Sequence, residues 1–211
     1  MRASRPTVVL GVDQAACSGA AIHAGGRVVA SGVTRNARER REAVTLALGL
    51  AGDPRGLLVV LEDHGKMPLT RLAQFSAETG EPPSRNADVI VGMGDARGRW
   101  REQLELAGVP LNHFLLVEPR TWRQAVFGRG AHALGTDAAK ALALQWASQV
   151  RGERVADDNE AEAIAIATWG ARNGVLVYQG RLHEARMRAR ARRHPALQAV
   201  PLELALAGGA A

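Results

Sequence analysis

The chain opens with short apolar runs broken by glycine and polar turns, then shifts to longer stretches with helical spacing. Residues 7–12 form a β-branched run that ends in Asp13, which predicts a buried strand. Residues 19–23 and 27–33 flank Gly25-Gly26, a compact hairpin signal. Three antiparallel strands are therefore expected first. Asn36 is placed to cap a helix through about Leu50, with Arg38, Arg40 and Arg41 on its exposed face. Residues 56–61 form a second apolar run, and it too ends in acid, at Glu62.

Residues 67–83 contain Gly80, Pro82 and Pro83, which predicts a helix followed by a loop. Residues 87–107 read as a long helix closed by Gly108. Phe114–Val117 is the next strand, and Pro119 suits the first turn of a short helix through Val126. A loop with Gly128, Gly130 and Gly135 follows. Thr136 is expected to cap a helix to about Val150, with Asp137 in its first turn. Asp157-Asp158 open a last helix, where Ala161, Ile164, Ala165 and Thr168 cluster on one side. Strand-then-helix alternation after a hairpin meander argues for an α/β fold, a mixed β-sheet flanked by α-helices.

Composition narrows the partners. The 211 residues carry 27 basic and 21 acidic side chains, a net charge of +6, and 46% are apolar, enough for a core. That balance points toward nucleic acid. Only Lys66 and Lys140 among the cations are lysines. The single Cys17 excludes an intramolecular disulfide framework and a cysteine-based zinc site, and fits a reducing cytoplasm. A membrane helix is not expected, because the apolar stretch 46–60 is cut by Asp53, Pro54 and Arg55. Between Arg181 and Arg193 arginines crowd the sequence, so a core domain of residues 1–175 and a basic C-terminal extension of residues 176–211 are expected. The extension suits sequence-independent phosphate contact.

The acids carry the candidate chemistry. An unpaired buried charge is costly, yet two core strands each end in one, Asp13 and Glu62. A third group, Asp157-Asp158-Asn159-Glu160-Ala161-Glu162, opens an alanine- and isoleucine-rich helix. Asp158 and Glu162 are four apart and Asp157 and Glu160 three apart, so either pair can share a face. Divalent cations are the natural compensation, and hard oxygen ligands suit Mg²⁺ or Mn²⁺. Such a set can hold two ions roughly 3.5–4 Å apart, as in phosphodiester displacement.

At this point the residues resemble the RuvC family of Holliday-junction resolvases, within the RNase H-like superfamily. Val9-Leu10-Gly11-Val12-Asp13, with Ser18-Gly19-Ala20-Ala21-Ile22 beyond it, is similar to the family's first strand and turn. Val59-Val60-Leu61-Glu62 is similar to the strand that carries its glutamate. Gly94-Asp95-Ala96-Arg97-Gly98 resembles the start of its central helix. Glu118-Pro119-Arg120-Thr121-Trp122-Arg123 and Val126-Phe127-Gly128, with Lys140 downstream, resemble the segment before its penultimate helix. Asp157 to Ala165 resembles a closing motif of the type "DDxxADAL", known best from phage and eukaryotic branches. The likeness spans about residues 7–173. Two positions depart from the pattern: Gln14-Ala15 stands where the family often has Pro-Gly, and Glu162 where it usually has aspartate.

The resemblance implies an RNase H-like fold and a Mg²⁺-dependent, homodimeric endonuclease, Mn²⁺ substituting, that nicks opposing strands of a four-way DNA junction. Asp13, Glu62, Asp158 and Glu162 would bind two ions, one activating water and one stabilising the leaving 3′ oxygen. Overlay on the family's apolar run favours Asp158 and Glu162 over the alternative Asp157 and Glu160. Lys140 matches a family lysine near the active site. Arg97, with Arg99 and Arg101, lies on the central helix, where Trp100 and Leu104 are expected dimer contacts. Arg97, Trp122, Arg123 and Arg129 are expected to bind DNA, the last three by gripping backbone phosphate, and Met67 or Leu69 to wedge the junction centre. His64 and His113 are expected to be structural. The alternatives are a broader nuclease for branched or flap DNA, and a non-catalytic junction-binding protein.

Overall fold

A computed structural model describes residues 6–15, 17–63 and 83–193. The expected elements at 67–83, up to residue 82, with Lys66, Met67, Leu69 and His64, lie outside them, and the long helix expected from residue 87 begins at Pro83. The fold is α/β, a mixed five-stranded sheet flanked by helices. Strands β1 (Val8–Asp13), β2 (Ser18–Ala24) and β3 (Arg27–Thr34) form the opening meander, followed by helix α1 (Ala37–Ala51) and strand β4 (Leu57–Glu62). Helix α2 (Pro83–Leu106), strand β5 (Phe114–Val117), and helices α3 (Pro119–Phe127), α4 (Thr136–Arg151) and α5 (Asp158–Trp169) complete the first unit. Gly170–Gly174 continue as a π-helical turn into α6 (Val175–Arg193). The strand order is β3-β2-β1-β4-β5. β1 pairs antiparallel with β2 and parallel with β4, and β4 pairs parallel with β5.

The turn chemistry follows the sequence. Gly25 and Gly26 have φ of 57° and 84°, the left-handed pair that a tight hairpin requires. Asn36 caps α1 by accepting from the Glu39 N–H. For α4 the cap falls one residue earlier than expected, on Gly135 with no side-chain bond, and Thr136 is the first helical residue.

Alternation along the strands divides the core into two layers. Val8, Leu10, Val12, Leu57, Val59 and Leu61 pack with Val44 and Ala47 of α1 and with Trp100 and Leu104 of α2. Trp100 and Leu104 are therefore core residues, not the expected dimer contacts, and both are fully buried. The opposite face of the sheet meets α5. A Cβ on Gly11 would come 2.3 Å from the Ala167 nitrogen, and one on Gly170 2.6 Å from Val9. Glycine and alanine thus let α5 lie almost against the β1 backbone. Ala161 and every residue from Ala163 to Trp169 are buried, so α5 is enclosed all round instead of showing the one-sided pattern expected.

The chain divides into two compact units, Met1–Val175 and Leu176–Ala211. In the second, α6 carries exposed Arg181, Arg186 and Arg188. Among the described residues no helix is long and apolar enough to cross a membrane.

Candidate metal centre

The register of the two parallel strands builds the site. Val12 pairs with Leu61, so Asp13 and Glu62 follow side by side at the carboxyl ends of β1 and β4. Both continue the alternating row that faces α5, through Gly11 and Val60. Gly19 of β2 meets the start of α5, where a Cβ would come 1.8 Å from the Asn159 carbonyl oxygen. This close approach brings the first turns of α5 to the strand ends.

Carboxylate oxygens of Asp13, Glu62 and Glu162 all lie within 4.8 Å of one another. Asp13 is 5% and Glu62 1% exposed, so neither charge is solvated by bulk water. Burial pushes the Asp13 carboxyl well above its ordinary pKa, and the Glu62 and Glu162 charges push it further. Glu162 is pushed up to about 7, first by burial and then by Glu62, with Arg123 opposing. These three groups repel one another in a site that a hard cation would neutralise, and an all-oxygen donor set fits Mg²⁺ or Mn²⁺.

Asp158 stands outside that triad. Its carboxylate meets the Lys140 ammonium at 2.5 Å, which holds Asp158 below the usual carboxylate range and raises Lys140. Asp157 and Glu160 are engaged elsewhere. Asp157 caps α5 by accepting from the Asn159 and Glu160 N–H groups, and Glu160 accepts from the Ser31 hydroxyl of β3 at 2.7 Å. A cleft of about 300 Å³ opens over the acids, with Arg123 and Lys140 on its wall.

The side chains expected on DNA divide. Arg129 is exposed in the turn between Gly128 and Gly130. Arg123 reaches the cleft but binds Glu162 at 2.6 Å, and its Nε is buried with no partner among the described residues. Arg97 turns to the strand ends, with Nη2 donating to Asp63 at 2.9 Å and Nε to the Gln14 side chain at 3.1 Å. Trp122 is a correction: it is fully buried against Phe127 and cannot reach DNA from there, and its indole N–H donates to Glu62 Oε1 at 3.0 Å. His113 is buried as expected, its Nδ1 2.9 Å from the Leu57 carbonyl oxygen.

Gln14 was not anticipated. It is 1% exposed, and its Nε2 donates to the Glu62 carbonyl oxygen at 2.9 Å, tying the ends of β1 and β4 together. The signal available in sequence was its place directly after Asp13, where an amide can bridge two backbones. No protein-family model matches the chain, and no curated protein matches it.

Proposed function

We infer that the chain is a divalent-metal-dependent endonuclease of the RuvC-like, RNase H-like kind that resolves four-way DNA junctions. One observation carries the reading. Three separate core elements deliver Asp13, Glu62 and Glu162 to one buried point where their carboxylates lie within 4.8 Å of one another. Nothing in the packing of a sheet and helix calls for three adjacent acids, and a divalent cation would offset their mutual repulsion. The mixed sheet flanked by helices agrees with the resemblance.

Asp13, Glu62 and Glu162 would hold one cation, and Asp158 adds the fourth carboxylate for a second. Bound ions would supply activation of water and neutralisation of charge on the phosphate and the leaving oxygen. The protein's own groups do the rest. Lys140, half-exposed beside Asp158, is placed to exchange that partner for a DNA phosphate. Arg129 on its exposed turn, and Arg181, Arg186 and Arg188 on α6, offer backbone contacts without reading sequence. Burial of the triad keeps its carboxylates oriented and poorly hydrated, which strengthens their hold on a cation. A pair of symmetrical nicks needs two such sites, so the active form is a homodimer.

The test offers a four-way junction, a flap and a linear duplex with Mg²⁺ or Mn²⁺. The reading expects cutting of the junction above the others. Equal cutting of flap and junction would favour a broader branched-DNA nuclease. Junction binding with no cutting under either metal would favour an architectural binder.

A further inference from the structure

Neighbouring residues of α3 each grip one carboxylate of the triad. Trp122 donates its indole N–H to Glu62 at 3.0 Å, and Arg123 donates to Glu162 at 2.6 Å. The grips touch each other, since the Arg123 guanidinium lies 5.0 Å from the centroid of the Trp122 ring. The indole is fixed in turn by Phe127, edge-on at 5.7 Å, and Phe127 by Trp146 of α4 at 5.5 Å. From the other side Gln14 holds the Glu62 backbone. A buried indole N–H needs an acceptor, and here the acceptor is a carboxylate that the protein must hold still.

Adjacent positions on one helix have a fixed spacing, so α3 imposes a spacing on two glutamates that arrive from different elements. Oxygen spacing is what separates small divalent ions from large ones. Mg²⁺ demands near-ideal octahedral geometry, whereas Ca²⁺ accepts six to eight oxygens at longer and more variable distance.

We propose that Trp122 and Arg123 form a positioning bracket that sets the separation of the Glu62 and Glu162 carboxylates, so that the site selects a small octahedral cation over Ca²⁺. The bracket rests on the metal-site reading above. It gives these residues a task different from gripping DNA, and it explains why a buried tryptophan stands next to an arginine of the cleft wall.

The test titrates the metal-free full chain with Mn²⁺ and with Ca²⁺ by calorimetry, for the unsubstituted protein, Trp122→Phe and Arg123→Lys. Far-ultraviolet circular dichroism checks each fold. Trp122→Phe keeps the ring and loses the N–H, and Arg123→Lys keeps the charge and loses the planar fork. The bracket predicts roughly tenfold weaker Mn²⁺ binding in Trp122→Phe. It also predicts a smaller Mn²⁺ to Ca²⁺ affinity ratio in both variants. In the unsubstituted protein, the Trp122 indole N–H resonance should move when Mg²⁺ is added, a readout that does not depend on either variant folding. Where the unsubstituted chain binds Mn²⁺ saturably, an unchanged ratio in both variants, or an unmoved indole resonance, would overturn the bracket alone. No saturable Mn²⁺ binding by the unsubstituted chain would overturn the bracket and the metal site together.

Discussion

Asp13 ends β1 beside two other acids, and burial together with their charges disfavours its ionised form. Asp13→Asn replaces this destabilised carboxyl with a neutral amide of the same shape, which cannot ionise against its neighbours. The metal-free protein should therefore melt a few degrees higher than the unsubstituted chain, and junction cutting should be lost while junction binding persists. Thermal melts in chelator and a gel-shift assay check the two halves; a lower melting temperature would contradict the account of the triad. Lys140→Ala should reduce cutting without the gain in stability. Its pair with Asp158 is 49% and 32% exposed, so stability should change by less than about 1 kcal/mol. Cutting should fall on the order of a hundredfold if Lys140 contacts the scissile phosphate. Asp13 and Glu62 were legible in the sequence, because an apolar run that ends in acid is unusual wherever it occurs. Trp122 was not, because its role depends on Glu62, sixty residues away, arriving beneath it. The general need of a buried indole for an acceptor was the one hint.

The element that places the site is α5, and its position depends on glycines in the strands beneath it. A methyl group on Gly11 would strike the backbone of Ala167 and Ala163. Gly11→Ala should therefore destabilise by about 3 kcal/mol or more, since helix and strand cannot both stay in place. Gly32→Ala, on edge strand β3 where a Cβ meets nothing within 4 Å, should be close to neutral. Chemical denaturation of the two variants checks the contrast, and equal effects would refute it. The strands themselves were readable from their runs, and β5 falls where its apolar residues put it. Gly11 alone did not announce its use, because close approach is a property of two elements and appears in neither one. Trp100 and Leu104 were misplaced for a related reason. With Ala96 they form an i, i+4, i+8 seam, all buried, and such a seam serves a sheet as well as a second copy.

At the scale of the molecule, the triad makes stability depend on pH, and on metal if the proposed site is filled. Glu162 titrates near 7 in the folded protein against an ordinary 4.5, so the native state binds the proton more tightly than the unfolded chain does. The Glu162 contribution to metal-free stability is thus unimpaired below about pH 4.5 and declines as pH rises toward 7. The difference amounts to about 3 kcal/mol for this group. On the proposed metal-site reading a divalent cation would replace the proton, so Mg²⁺ should raise the melting temperature more at pH 8 than at pH 5.5. A larger metal effect at the acidic pH would contradict this. The division of charge was partly visible from the start, with acids at strand ends and arginines crowding residues 181–193.

The most direct test of the central claim is cleavage of a synthetic four-way junction with the nick positions mapped on every strand. The account predicts, with Mg²⁺ or Mn²⁺, paired nicks at symmetrical positions on two opposing strands. Each should leave a 5′-phosphate and a 3′-hydroxyl, and none should form with Asp13→Asn or Glu62→Gln. Junction binding without nicks under either metal, or nicks that survive those substitutions, would contradict it.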